Sequence, residues 1–337
     1  MLLFEAIDRR PEAEDSELME QVGLKNEGQL SNLKRNLHRQ IMSSLRLIYA
    51  VKHFDIEIRE QIDFARILYG KGLYLDALRT LEKVKSKAEE HNQDLLHLEI
   101  IEFQKLIEAR HVTRSRQEKY KLDELIEQSS NRNHVTLLAG ELFNVNIQTH
   151  GYYIEHGHVR TSGEREAFER QWQDYWHHLS NTPELKREAT FFEITNHAQA
   201  DMWRHYILLD FSAAREAALT WKAAFTNSDM PTKDPDLFIR AIYYAGMFNY
   251  LLGDARNLNR QLRDLVGFVG DNWEVFNENS RQIAYVYAAA TLFNLLLLRR
   301  EYETARTLAP VIEEASKLGG FAIDSHRQLQ FTFKYAA

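Results

Sequence analysis

Apolar residues along the chain recur three and four positions apart and never in sustained alternation, which predicts helices throughout and no strand. Ile56, Ile58, Ile62, Ala65 and Leu68 lead to Gly70-Lys71-Gly72, and Leu75, Leu78, Leu81 and Val84 resume the period beyond it. This is the pattern of an antiparallel helical hairpin. The form returns, with helix pairs predicted near 55–92, 94–130, 133–180, 184–227, 235–269 and 273–317 and breaks within them at 157–163, Asp210, Gly253 and Arg300. Asn181-Thr182-Pro183, the segments 229–235 and 267–271, and Gly319-Gly320 separate the pairs. A strandless series of hairpins, each burying one face on its neighbours, predicts an all-α solenoid.

The first hairpin carries Gly72-Leu73-Tyr74-Leu75-Asp76-Ala77, then Leu81 and Val84. Ala77 is expected at the closest crossing of the two helices, Tyr74 in the wedge at the turn, and Leu81 and Val84 against the next unit. Comparable cores are Phe211, Ala214, Ala218 and Trp221, then Tyr302, Ala305, Ala309 and Ile312, with a weaker copy in Gly246, Gly253, Leu258, Leu262 and Leu265. These positions resemble the tetratricopeptide repeat (TPR) pattern over roughly 54–318. The later copies are more than 40 residues apart where a standard repeat has 34, so longer helices are expected. Pro310 falls inside the last helix and is expected to bend it. Ser44-Leu45-Arg46 and Gly157-His158-Val159-Arg160 are also similar to an uncharacterised bacterial family of TPR-like proteins.

The resemblance implies a right-handed α-solenoid whose first helices line a concave groove. Carried onto the matching positions, that groove is expected to hold Arg59, Ile62, Arg66 and Tyr69, then Trp203 and Tyr206, then Arg240, Tyr243, Met247 and Tyr250. Arg, Tyr, Trp and Met are enriched where proteins bind proteins. The three arginines favour a carboxylate or an acidic motif. Each Tyr at helical spacing has a core position as its alternative, and Asp201 at an expected core position leaves the register of the helix near 184–209 open.

Composition narrows the chemistry. The 337 residues include no Cys, which excludes disulfides, thiolate metal sites and cysteine nucleophiles. Asp and Glu outnumber Lys and Arg 49 to 42, a net charge of -7, which argues against a chain that coats nucleic acid along its length. The apolar run at 291–298 is short of a membrane span, so the expectation is a cytoplasmic chain with no membrane partner. Phosphate-cradling Gly loops, the nucleophile elbow, the His-Glu-X-X-His helix and the dinucleotide fingerprint are missing from the sequence, so no enzyme, catalytic residue or cofactor is expected.

Glu193, His197, Asp201 and His205 follow one another at four-residue spacing along one helix face, a stripe that could hold a divalent metal or form ordinary surface pairs. This stripe would carry the alternative reading of a metal-dependent enzyme. His150, His156 and His158 gather around Gly151 and Gly157, as a zinc or pH-responsive loop or as solvated loop residues. His177 and His178 beside Trp172 and Trp176 read as two edges of one amphipathic helix.

Residues 1–53 are expected as an amino-terminal helical cap. A short helix, Gly23 and a second helix bearing Lys25, Lys34, Arg35, His38, Arg39 and Arg46 resemble a helix-turn-helix, which opens the alternative of a signalling or transcription-regulatory protein touching nucleic acid. The competing reading is packing, because Leu30, Leu33, Leu37, Ile41, Leu45 and Ile48 form a continuous apolar stripe. At the other end, 319–337 reads as the start of a further helix, with Phe331, Phe333 and Tyr335 left uncovered. It is expected to dock on a partner or on a second copy of the chain, or to mark a fragment of a longer protein. A protein or peptide partner is the leading expectation.

Overall fold

The computed structural model describes residues 2–50, 53–111, 121–177, 189–226 and 228–318, and these form fifteen helices with no strand among them. The fold is all-α, as the periodicity predicts. The chain divides into two compact units, Met1–Thr136 and Leu137–Ala337.

The first unit contains α1 (Leu2–Arg9), α2 (Asp15–Val22), α3 (Glu27–Ala50), α4 (Phe54–Gly70), α5 (Tyr74–Glu90), α6 (Asp94–Arg110) and the start of α7 (Lys121–His156). Ala65 of α4 and Ala77 of α5 are fully buried together with Ile58, Leu81 and Val84, so small residues sit where the hairpin closes. Helix α6 continues the succession against α5. A separate small core, Leu3, Ala6, Leu18 and Leu30, joins α1, α2 and the start of α3.

The second unit contains the remainder of α7, then α8 (Ser162–His177), α9 (Phe191–Ile207), α10 (Phe211–Ala223), α11 (Met230–Lys233), α12 (Pro235–Leu251), α13 (Ala255–Asn272), α14 (Glu278–Leu298) and α15 (Tyr302–Leu318). Helices α9 and α10, α12 and α13, and α14 and α15 pair as hairpins, and α12 also packs on α10 and on α14. Ala214, Ala218 and Trp221 are buried between α9 and α12 with Met202, Ala241 and Phe248. Gly246 marks the crossing of three helices, since a Cβ there would meet Leu258, Gln261 and Thr291, each at 3.6 Å. By length and composition, α14 is the one described helix that could cross a membrane, but most of its apolar surface is buried inside the fold.

One turn geometry recurs at six helix junctions, the first at Gly23, with φ of 72° and the Leu24 amide bonded to the Met19 carbonyl at 2.8 Å, and five more beyond it. Gly72, Asn92, Leu209, Gly253 and Arg300 all adopt positive φ, between 54° and 78°. The amide of the following residue then bonds a carbonyl five positions back: Leu73 to Leu68 at 3.0 Å, Gln93 to Ala88 at 2.8 Å, Asp210 to His205 at 2.9 Å, Asp254 to Asn249 at 2.8 Å and Glu301 to Leu296 at 2.9 Å. This is a Schellman closure, and it satisfies carbonyls that the helix end would leave open. At two of these turns the next residue is an aspartate that caps the second helix, Asp210 on the Ala213 amide and Asp254 on the Asn257 amide, both at 3.0 Å.

Several predicted features differ from the structure. The pairs predicted at 94–130 and 133–180 are instead α6, the single 36-residue α7, and α8. The polar stretch at 129–133, where the two predicted pairs meet, is a helix face bound to α6. Ser129 hydrogen-bonds Glu102 and Lys105, at 2.5 and 3.0 Å, and Arg132 hydrogen-bonds Asp94 at 2.7 Å. Tyr302, predicted to wedge the last hairpin, is largely exposed. Pro310 falls inside α15, as expected. The apolar stripe of α3 is buried at Leu30 only, while Ile41, Leu45 and Ile48 are exposed. Pro183, His178 and the segment 319–337 lie outside the described residues.

Candidate functional site

In the first unit the predicted groove positions separate. Ile62 is 2% exposed and belongs to the core between α4 and its neighbours, because it shares the buried face of α4 with Ile58 and Ala65. Arg59 is exposed. Arg66 is exposed but engaged, 2.5 Å from Glu99 of α6 and over the ring of Phe103. Tyr69 is half-buried, 3.2 Å from the His111 ring and edge-on to Phe103.

In the second unit the predicted residues come together, with aromatic partners that the sequence reading did not select. Trp203 stacks on His150 of α7 at 4.2 Å and meets Tyr244 edge-on at 5.5 Å. Tyr206 meets Tyr153 at 5.0 Å and Phe248 at 5.5 Å. Tyr243 stacks on Tyr287 of α14, 4.2 Å between centroids and 11° between planes. Arg240 lies over the Tyr287 ring at 5.9 Å and donates to its hydroxyl at 3.4 Å. Trp203 and Tyr243 are buried, at 7% and 8%, so they are walls of this cluster and not open contact surface. Tyr206, Arg240, Met247 and Tyr250 are partly exposed and form its accessible part.

The electrostatics follow from burial. Desolvation, and after it the charge of Arg240, holds the His150 imidazole below the ordinary histidine range. Burial pushes the Tyr206, Tyr243 and Tyr244 hydroxyls well above the ordinary tyrosine range. At neutral pH these hydroxyls keep their protons and His150 is neutral. The cation of the cluster is therefore Arg240, which makes no ion pair among the described residues. Asp234 caps α12 by accepting from the Leu237 amide at 3.1 Å, and burial raises its carboxyl above the usual range despite that bond and the charge of Arg240.

The other candidates are spent on local structure. Glu193 is buried and forms a capping box with Thr190: its carboxylate accepts from the Thr190 amide at 2.6 Å, and its own amide donates to the threonine hydroxyl at 3.5 Å. His197 lies 3.5 Å from Asp201, and no group of three or more His, Asp or Glu side chains among the described residues is placed to hold a metal ion. His156 stacks on Tyr152, and His158 has Nδ1 2.8 Å from the Tyr206 carbonyl and its ring edge-on to Tyr206, so the three imidazoles of the loop have separate partners.

Sequence reasoning placed His150 in a loop of imidazoles and not in this cluster, and missed Tyr153, Tyr244 and Tyr287. A signal existed for Tyr287, which lies on the first helix of its hairpin just as Tyr243 does. For His150 and Tyr153 the end of their helix was predicted at the break it has, 157–163, but its start was not, and nothing in the pattern set them against α9. No family model matches the chain, and neither a search of curated proteins nor one of solved structures finds a match.

Proposed function

We propose that this chain is a right-handed TPR-like solenoid that binds an extended or helical acidic peptide and catalyses no reaction. The repeated Schellman turn and the buried alanines at the hairpin crossings support the repeat reading. In this reading α9, α12 and α14 are the first helices of successive hairpins, and the accessible edge of Tyr206, Arg240, Met247 and Tyr250 is the peptide surface. The cytoplasm, where peptide partners and no disulfides are expected, is the proposed compartment.

One observation carries the assignment. Arg240 is a partly buried guanidinium set against an aromatic wall with a tyrosine hydroxyl, but no carboxylate, as its bonded partner among the described residues. A carboxylate offered by a peptide would complete a charge-assisted pair there, while the tyrosine and methionine side chains supply apolar contact. The test is an array of acidic peptides and their amide counterparts, probed with the wild-type chain, Arg240→Gln and Arg240→Lys. Acidic peptides should be preferred, with affinity falling roughly 10-fold or more in Arg240→Gln and part of it kept in Arg240→Lys. Equal binding by wild type and Arg240→Gln, or no preference for acidic peptides, overturns the assignment.

A further inference from the structure

Helix α3 has a face that nothing in the first unit uses. Its start is fixed by Leu30 in the small core and by an ion pair of Lys34 with Asp15. Its second half is exposed at every position from Ile41 to Tyr49, with Leu47 at 68% and Ile48 at 58%. Six large apolar side chains, Ile41, Met42, Leu45, Leu47, Ile48 and Tyr49, are therefore exposed on one short segment, by 37% to 68%, with Tyr49 stacked on the His53 ring at 5.3 Å.

The charges of this segment are one-sided. Residues 28–53 hold five Lys and Arg and no Asp or Glu, in a chain whose net charge is -7. Arg35 and Arg39 hydrogen-bond only Asn32 and Asn36 on their own helix, each at 3.2 Å, and Arg46 reaches Asp63 of α4 at 3.6 Å. With about 100° of rotation per residue, the six apolar residues cover an arc of roughly 220°, and Arg35, Arg39 and Arg46 fall together in the narrow remainder.

We infer that the second half of α3 is an interfacial helix that lies on an anionic lipid surface. Three features favour that occupant. A single partner helix buries a stripe roughly 100° wide, so it would leave much of the apolar arc in water, whereas a lipid bed takes the whole arc. A second copy of α3 would bring a second acid-free segment alongside, with no carboxylates to pair its arginines. Nucleic acid would satisfy the arginines and leave the apolar arc bare. On a bilayer the apolar side chains enter the headgroup–acyl boundary, while the arginine band, within a helix diameter of the surface, stays inside the reach of its negative potential. This mode of attachment needs no membrane span.

Vesicle flotation tests it, using the full chain with phosphatidylcholine vesicles and with mixed phosphatidylcholine–phosphatidylserine vesicles. Wild type should float with the mixed vesicles and not with the neutral ones, and added salt should weaken the association. Leu45→Gln with Ile48→Gln should reduce the bound fraction at least tenfold, Arg35→Gln and Arg39→Gln should each reduce it about fivefold, and Ile48→Leu should leave it unchanged. All these positions are exposed, and far-UV circular dichroism of each variant checks that the helices are kept. Three results overturn the inference: no flotation of wild type, equal flotation with both vesicles, or flotation indifferent to Leu45→Gln with Ile48→Gln. Light scattering that finds a dimer broken by Ile48→Gln would assign the face to a second copy instead. Duplex DNA retention lost in the arginine variants but kept in Leu45→Gln with Ile48→Gln would assign it to nucleic acid.

Discussion

His97 of α6 illustrates how one buried side chain couples the first unit to pH. Its ring is 5% exposed, its Nδ1 has no hydrogen-bond partner among the described residues, and burial, with Arg132 adding to it, lowers its pKa from 6.5 to about 4. Between those values the unfolded chain takes up a proton that the folded chain refuses. Stability is therefore complete above about pH 6.5 and is lost as pH falls toward 4. Moving from about pH 7 to about pH 5 should cost on the order of 2 kcal/mol, and His97→Leu should flatten that dependence; urea titrations at the two pH values measure both. Ile62 and Arg59, both predicted as groove residues, should part company in the same assay. Ile62→Ala should cost about 2–5 kcal/mol because it empties a packed site, and Arg59→Ala should stay within about 0.5 kcal/mol. Residue type marked both as contact-prone, and only burial tells them apart. Tyr243 repeats the lesson, since its three-and-four spacing fits a groove and a core equally well until α14 is placed against it.

At the scale of elements, the hairpins of the sequence reading are those whose turns carry their own chemistry. Gly72 and Gly253 supply positive φ cheaply, and Asp210 and Asp254 announce the next helix, so α4–α5, α9–α10 and α12–α13 are legible from local residues. The length of α7 is not legible, because the polar residues at 129–133 are satisfied by Glu102, Lys105 and Asp94, which are remote in sequence. The exposure of α3 is hidden for the opposite reason: its apolar period is that of a packed helix, and periodicity does not say what covers it. Leu209 and Arg300 occupy the left-handed position with side chains, at φ of 61° each, where Gly72 and Gly253 have none. Replacing either by Gly should relieve a conformational cost of about 1 kcal/mol and raise the urea midpoint, whereas Gly253→Ala should lower it by a similar amount. Equal midpoints for Arg300→Gly and wild type would mean that the turn geometry is not under strain.

For the whole molecule, the two units carry different reporters, which allows their stabilities to be read separately. All five tryptophans, at 172, 176, 203, 221 and 273, belong to the unit Leu137–Ala337, while His97 belongs to Met1–Thr136. Acid should therefore weaken the unit that fluorescence does not see more than the one it does, where burial lowers His150 as well but by less. Near pH 7 the urea transitions followed by far-UV circular dichroism and by tryptophan fluorescence should lie close together. Near pH 5 the loss of about 2 kcal/mol in the first unit should move the early part of the dichroism transition to lower urea, and the fluorescence transition should move the same way but less, because burial lowers His150 in the second unit as well. Helix α7 runs through the boundary between the units, but a helix can melt from one end, so its continuity alone does not force a single transition. The His97→Leu variant supplies the control, because in it the early dichroism shift should disappear while the smaller fluorescence shift, which belongs to His150, remains. If the early dichroism shift survives in His97→Leu, acid acts on the first unit through other groups; if the two signals coincide in the wild type at pH 5, the units unfold as one. In the expected case the aromatic cluster around Trp203 and Arg240 loosens less than the first unit, since only the smaller shift of His150 acts on it, so preference for acidic peptides should persist near pH 5 and report on the second unit.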